Sequence, residues 1–263
     1  MARIPPVAHF IWFGRSLLWV HVLALRSAAL RGGFNRIILH HADDLGDSRW
    51  WGELQALPRL ELRRLEPESL LVRCPQGDRL VEVFRELEEP AGKANMVRAA
   101  LLFLEGGTFL DADTVTLASF APLLEPGGAY CGQERITRPY ALRVSRSLAV
   151  QLPMLFRRLV RSTLRETPGG WRAFRWIEHL YPAAVNNAVL GSEAGHPLLG
   201  DLLERMIALS RERRRVRYAL GTHLLQQAVA EYRGTDLRIL PPQVFYPLGP
   251  EISVHWFRDT RRA

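Results

Sequence analysis

The stretch Lys93-Ala-Asn-Met-Val-Arg98, continued through Leu104-Glu-Gly-Gly-Thr-Phe-Leu-Asp-Ala-Asp113, decides how this chain is read. From Lys93 to Leu104 it is nearly all apolar apart from Lys93, Asn95 and Arg98. A helix that apolar has to be buried. Gly106-Gly107 ends it, and Thr108 to Leu110 starts a strand running into Asp111. Asn95 and Arg98, three residues apart, project from one face of the helix. A polar pair on a buried helix needs a partner. For Arg98 that partner is either a ligand phosphate or Asp111 or Asp113, and the two readings are compatible.

Upstream, Val7 to Trp12 reads as a buried strand closed by Gly14, and Leu17 to Leu30 as a helix stopped by Gly32-Gly33. Arg36 to His41 and Leu60 to Leu65 read as strands, with a helix over Trp50 to Leu57 between them. Alternating strands and helices predict an α/β fold with a mostly parallel sheet covered by helices. In such sheets ligands bind beyond the carboxyl ends of the strands. Trp12 and Asp111 both sit at such ends. Downstream, Leu148 to Arg165, Leu198 to Leu209 and Thr222 to Tyr232 read as helices. The expectation is one domain, with a site-bearing half over residues 1–120 and a helical second half over 121–263.

Asp111 and Asp113 are two residues apart at a strand end, and alternation puts their side chains on one face. Carboxylates that close repel unless a cation sits beside them. Oxygen ligands favour a hard ion, Mn²⁺ or Mg²⁺. The bland reading of an isolated Asp-x-Asp is a solvated turn.

The remaining composition sets bounds. The formal charge is +8, carried almost wholly by arginine, and 48% of residues are hydrophobic. That suits an anionic partner, or only an arginine-rich genome. No nucleic-acid-binding module is recognisable. Cys74 and Cys131 form neither a metal spacing nor a disulfide framework, so a cytoplasmic setting is expected. Leu152, Leu155, Phe156 and Leu159 oppose Arg158, Arg161 and Arg165 on one helix. This helix and the Arg211 to Arg217 run would either be solvated or rest on an anionic membrane as a peripheral contact.

The stretch from Lys93 to Asp113 resembles the sugar-binding region, with its DXD motif, of glycosyltransferase family 32, and that of the large clostridial glucosylating toxins. Ile4-Pro5-Pro6 through His9-Phe10-Ile11-Trp12-Phe13-Gly14 looks like the opening strand of the same families. Weaker matches are Asn186-Asn187-Ala188-Val189 through Gly195-His196-Pro197, and His255-Trp256. The resemblance implies a GT-A fold, a nucleotide-diphosphate sugar donor, a divalent metal and retention of anomeric configuration. The acceptor class stays open: a glycan, a lipid-linked sugar or a protein. Trp12 would stack on the base, Asp111 and Asp113 would hold ribose and metal, and Arg98 would meet the diphosphate. Many relatives carry Asp where this chain has Asn95, which keeps a carbonyl acceptor without the charge.

Asn187, with Asn186 beside it, is the candidate for the far face of the donor sugar, where an amide dipole would stabilise an oxocarbenium-like transition state. An Asx turn or helix cap is the alternative for this pair. Glu134 is a candidate sugar contact and His255 a candidate metal or phosphate ligand. His40, His41, Asp43 and Asp44 resemble a metal cluster, but alternation sends the histidines to opposite faces, so a solvated strand end is expected.

Two rival functions fit parts of the pattern. Leu110-Asp-Ala-Asp-Thr-Val115 matches a haloacid dehalogenase-type phosphatase motif, in which Asp111 would attack phosphate. The sole lysine, Lys93, precedes the motif, and that class needs a later one. A degenerate transferase that binds the donor without turnover would also suit Asn95.

Overall fold

The computed structural model describes residues 3–136, 147–216 and 218–246, with nothing said of the Val150 side chain. Among the described residues a seven-stranded sheet has the order β3-β2-β1-β4-β6-β5-β7. Its strands are β1 (Val7–Trp12), β2 (Arg36–His41), β3 (Leu60–Arg64), β4 (Gly107–Leu110), β5 (Ala129–Arg135), β6 (Ala183–Ser192) and β7 (Leu237–Leu240). β1 pairs in parallel with β2 and β4, and β2 with β3. β6 runs antiparallel to β4, with Phe109 opposite Leu190. The middles of β1 and β2 are buried. That is why they read as continuous apolar runs, as parallel strands covered on both faces must.

Contacts divide the chain into two compact units. The first comprises Met1–Cys131 with Asn187–Arg238, and the second Gly132–Asn186 with Ile239–Ala263. The first unit contains β1 to β4, most of β6 and the helices Trp19–Arg31, Pro90–Glu105 and Pro197–Ala208. Its core includes Phe10, Leu39, Leu101 and Leu202, all nearly or fully buried. The second contains the helices Leu148–Glu166 and Gly170–Ile177. The part of the chain expected to be helical also supplies β5, β6 and β7.

The helix Pro90–Glu105 meets β4 through Gly106 and Gly107, at φ +66° and +100°. A Cβ on Gly106 would lie 2.7 Å from the Ala194 nitrogen, and one on Gly107 would lie 2.8 Å from the Val7 carbonyl. Both the left-handed backbone and the lack of space therefore demand glycine. The corner fixes where β4 starts and so where Asp111 falls.

His40 corrects the solvated-end expectation. It is 1% exposed, and its Nε2 lies 3.0 Å from Nδ1 of His9, whose Nε2 lies 3.0 Å from the Gly106 carbonyl. Burial pushes His9 down to about 4, against the pull of Glu105. Burial, then the neighbouring His9, pushes His40 to about 2. Both rings are neutral core residues. His41 points elsewhere, to the Asp43 carbonyl at 2.8 Å. Both cysteines are buried free thiols.

Candidate active site

Arg98 organises the polar centre of the first unit. It lies on the helix Pro90–Glu105 and is 7% exposed. One terminal nitrogen donates to Asp111 Oδ1 and the other to Asn95 Oδ1, each at 2.8 Å. The guanidinium also lies over the Phe109 ring, 4.1 Å from its centroid. The internal ion pair expected for Arg98 is therefore present, and with Asp111.

Asn95 Oδ1 accepts a second bond, from Asn187 Nδ2 at 3.0 Å, and Asn187 Oδ1 accepts from the Thr222 hydroxyl at 3.3 Å. Asparagine at position 95 thus works as an acceptor for two donors and brings no carboxylate charge of its own. The pair Asn186-Asn187 lies on β6 rather than in a turn or a helix cap. Neighbours on a strand face opposite sides. Asn187 accordingly belongs to the Arg98 row, whereas Asn186 hydrogen-bonds Glu134 in the second unit. Burial raises the Glu134 carboxyl, and Asn186 and Arg161 pull it back.

Gly221 closes the row. It breaks helical geometry at φ −114° and ψ −113°, where the chain turns into the helix Leu224–Glu231. A Cβ there would lie 2.7 Å from Asn95 Nδ2 and 2.9 Å from Asn187 Nδ2. A cavity of about 10 Å³, enough for roughly one water, is lined by Asn95, Arg98, Asn187 and Gly221.

The acidic pair is not on a strand. β4 ends at Leu110, and Asp111 to Thr114 is a turn. The Thr114 amide at 3.0 Å and its hydroxyl at 2.8 Å both donate to the Asp111 carbonyl. The turn, not strand alternation, holds the two carboxylates near each other. Burial raises the Asp111 carboxyl, Arg98 opposes this, and the Asp113 charge adds to the rise. Asp113 itself is exposed.

Trp12 ends β1 and packs on His21, with centroids 4.2 Å apart and planes tilted by 48°. Burial lowers the His21 ring's affinity for a proton, and the Asp113 carboxylate opposes it. Trp12, His21 and Asp113 therefore form a second group adjoining the Arg98 row through Ala112. Trp12 Nε1 is buried without a hydrogen-bond partner among the described residues. A buried indole N–H ordinarily finds one.

Asp111 and Asp113 are the residues available for a metal. Among the described residues no group of three histidine, cysteine, aspartate or glutamate side chains could hold an ion. Asp111 spends Oδ1 on Arg98 and keeps a third of its side chain exposed. Two partly open carboxylates fit a hard cation that completes its shell with ligand oxygens and water. His255 lies outside the described residues. The sequence reading missed His21, Gly221 and Thr222. The last two stood at an expected helix start, and nothing local marked them as neighbours of Asn95.

A mostly parallel sheet flanked by helices, with β6 antiparallel beside β4, makes an α/β fold that is GT-A-like. No family model and no curated protein matches the sequence. Among solved structures, the PaToxG glycosyltransferase is similar, with a TM-score of 0.55, 15% identity, and 97% of this chain and 76% of that one covered. Mouse xyloside xylosyltransferase 1 gives 0.48 at 13% identity, covering 90% of this chain and 85% of that one. The glycosyltransferase domain of the YGT toxin, ligand-free, gives 0.43 at 9% identity, covering 78% and 62%. At 15% identity the likeness to PaToxG is one of fold.

Proposed function

We propose that this chain is a metal-dependent, retaining glycosyltransferase using a nucleoside diphosphate sugar. The observation that carries this reading is the row Asp111–Arg98–Asn95–Asn187 placed after β4 of a GT-A-type fold. A buried arginine beside a partly buried carboxylate is built for a ligand that is itself anionic and metal-bound.

In this reading Trp12 holds the base, by its ring face and by the unpartnered Nε1–H. Asp111 and Asp113 hold the ribose and Mn²⁺ or Mg²⁺. When bound, that ion would neutralise charge on the departing diphosphate. Arg98 adds a second positive charge from a position already fixed by Asp111 and Asn95, so no reorganisation is needed as charge develops. Asn187 presents an amide held at both ends, by Asn95 and Thr222. Its carbonyl has a second lone pair for the developing oxocarbenium ion. The acceptor hydroxyl attacks on the face the diphosphate leaves and gives its proton to the leaving phosphate. The acceptor, a glycan, a lipid-linked sugar or a protein, is to be found by screening.

The test is donor hydrolysis with Mn²⁺ across several nucleotide sugars. Asp113→Ala should lose at least ~100-fold in turnover. Because Asp113 is exposed, its melting temperature should not move. Near-wild-type turnover in that variant would sink the metal assignment. Donor binding without any turnover in the wild type would instead identify a donor-binding module.

A further inference from the structure

The helix Leu148–Glu166 faces the wrong way for a helix of a water-surrounded domain. At 3.6 residues per turn, Leu148, Leu152, Leu155, Phe156 and Leu159 fall within an arc of about 100°. An apolar arc of that width normally faces the core. Here all five are exposed, Phe156 by 67%. The side bearing Met154, Arg157 and Arg161 is the one packed inward. Arg161 donates to the Arg135 carbonyl at 3.0 Å and lies over the Phe174 ring at 5.5 Å. The Arg157 carbonyl accepts from the Tyr181 hydroxyl at 2.9 Å, and Met154 beside it is 3% exposed. The adjoining helix Gly170–Ile177 adds Trp176, 83% exposed, and the following turn adds Leu180.

An outward apolar face this large needs a covering, and charge says which. From Leu148 to Ile177 the chain carries six arginines and one glutamate. Arg158, Arg172 and Arg175 are exposed on the same two helices as the apolar residues. A second copy of this chain seated on the face would bring like charge to like charge, since a two-fold contact meets its own surface. An anionic bilayer answers both features. The leucines, Phe156 and Trp176 enter the headgroup boundary, and the arginines meet lipid phosphates. No described helix is long and apolar enough to cross a membrane, so the face would lie on the bilayer.

We propose that the helices Leu148–Glu166 and Gly170–Ile177 form a docking face for an anionic lipid bilayer. The proposal needs nothing from the glycosyltransferase reading, and its test uses no activity measurement. The full chain is sedimented with phosphatidylcholine vesicles and with vesicles that also contain phosphatidylglycerol, at low and high salt. The anionic vesicles should bind at least roughly tenfold more tightly, with binding falling as salt rises. Phe156→Glu and Trp176→Ala should each weaken it roughly tenfold or more, at unchanged melting temperature, because both side chains point outward. Absent binding to anionic vesicles, equal binding to both kinds, or unchanged binding by Phe156→Glu would each overturn the proposal. A concentration-dependent dimer that Phe156→Glu dissolves, without vesicle binding, would assign the face to a second copy.

Discussion

The Arg98 row and the helix Leu148–Glu166 use arginine on the protein side in opposite ways. In the first unit a single buried arginine is matched to a carboxylate, an amide and an aromatic face. In the second, a set of arginines turns inward while the leucines turn out. The contrast teaches that a polar pattern fixes which residues share a face, not which face is covered. On the buried helix Pro90–Glu105, Asn95 and Arg98 share a face because a partner awaits them. On Leu148–Glu166 the same kind of periodicity, read alone, would have been packed leucines-inward.

The largest expected effect is at the first arginine. Arg98→Met should leave the Asp111 charge without its partner and cost about 3 kcal/mol of stability, besides abolishing donor turnover. Urea denaturation would read the loss, and a change below about 1 kcal/mol would mean the ion pair is not structural. The two sides of the second unit's helix should then differ sharply. Met154→Ala, facing inward, should cost about 2–3 kcal/mol. Leu155→Ser, facing outward, should change stability by less than about 0.5 kcal/mol. Equal costs in paired thermal melts would show that the leucine face is packed and break the contrast.

A pH series tests the buried histidines of the first unit. His9 and His40 have folded pKa values depressed to about 4 and about 2, below the ordinary value of 6.5. Between these limits the unfolded chain binds more protons, so stability is full above about pH 6.5 and falls as the pH drops towards 4. The slope should approach about 1.4 kcal/mol per pH unit for each histidine. His40→Gln should roughly halve it, whereas an unchanged slope would place the acid sensitivity elsewhere.

Much of the fold was legible because β1, β2 and β4 are short apolar runs closed by turns or glycines. The helix Pro90–Glu105 was legible because few of its side chains are polar. β6 was missed for a physical reason. Asn186-Asn187 interrupts its apolar pattern, and its place is set by pairing with β4 across a long chain separation. The same separation hid half of the site. Arg98 and Asp111 are 13 residues apart and joined by one corner, so their pairing could be anticipated. Asn95 is 92 residues from Asn187 and further still from Gly221, and Thr222 is 35 from Asn187, so only folding brings them together. The helix Gly77–Glu86, rich in charge, escaped because amphipathic surface helices leave a weaker apolar signal.

The Gly106 carbonyl has a consequence for the two core imidazoles. A carbonyl can only accept, so His9 Nε2 must carry a proton. That leaves Nδ1 of the neutral ring bare, and it has to receive the Nε2 proton of His40. One backbone oxygen thus dictates the tautomer of both rings, while burial keeps both uncharged at neutral pH. Neutral rings brace the corner that launches Asp111, so the positive charge offered to that carboxylate comes from the Arg98 guanidinium and not from an imidazolium.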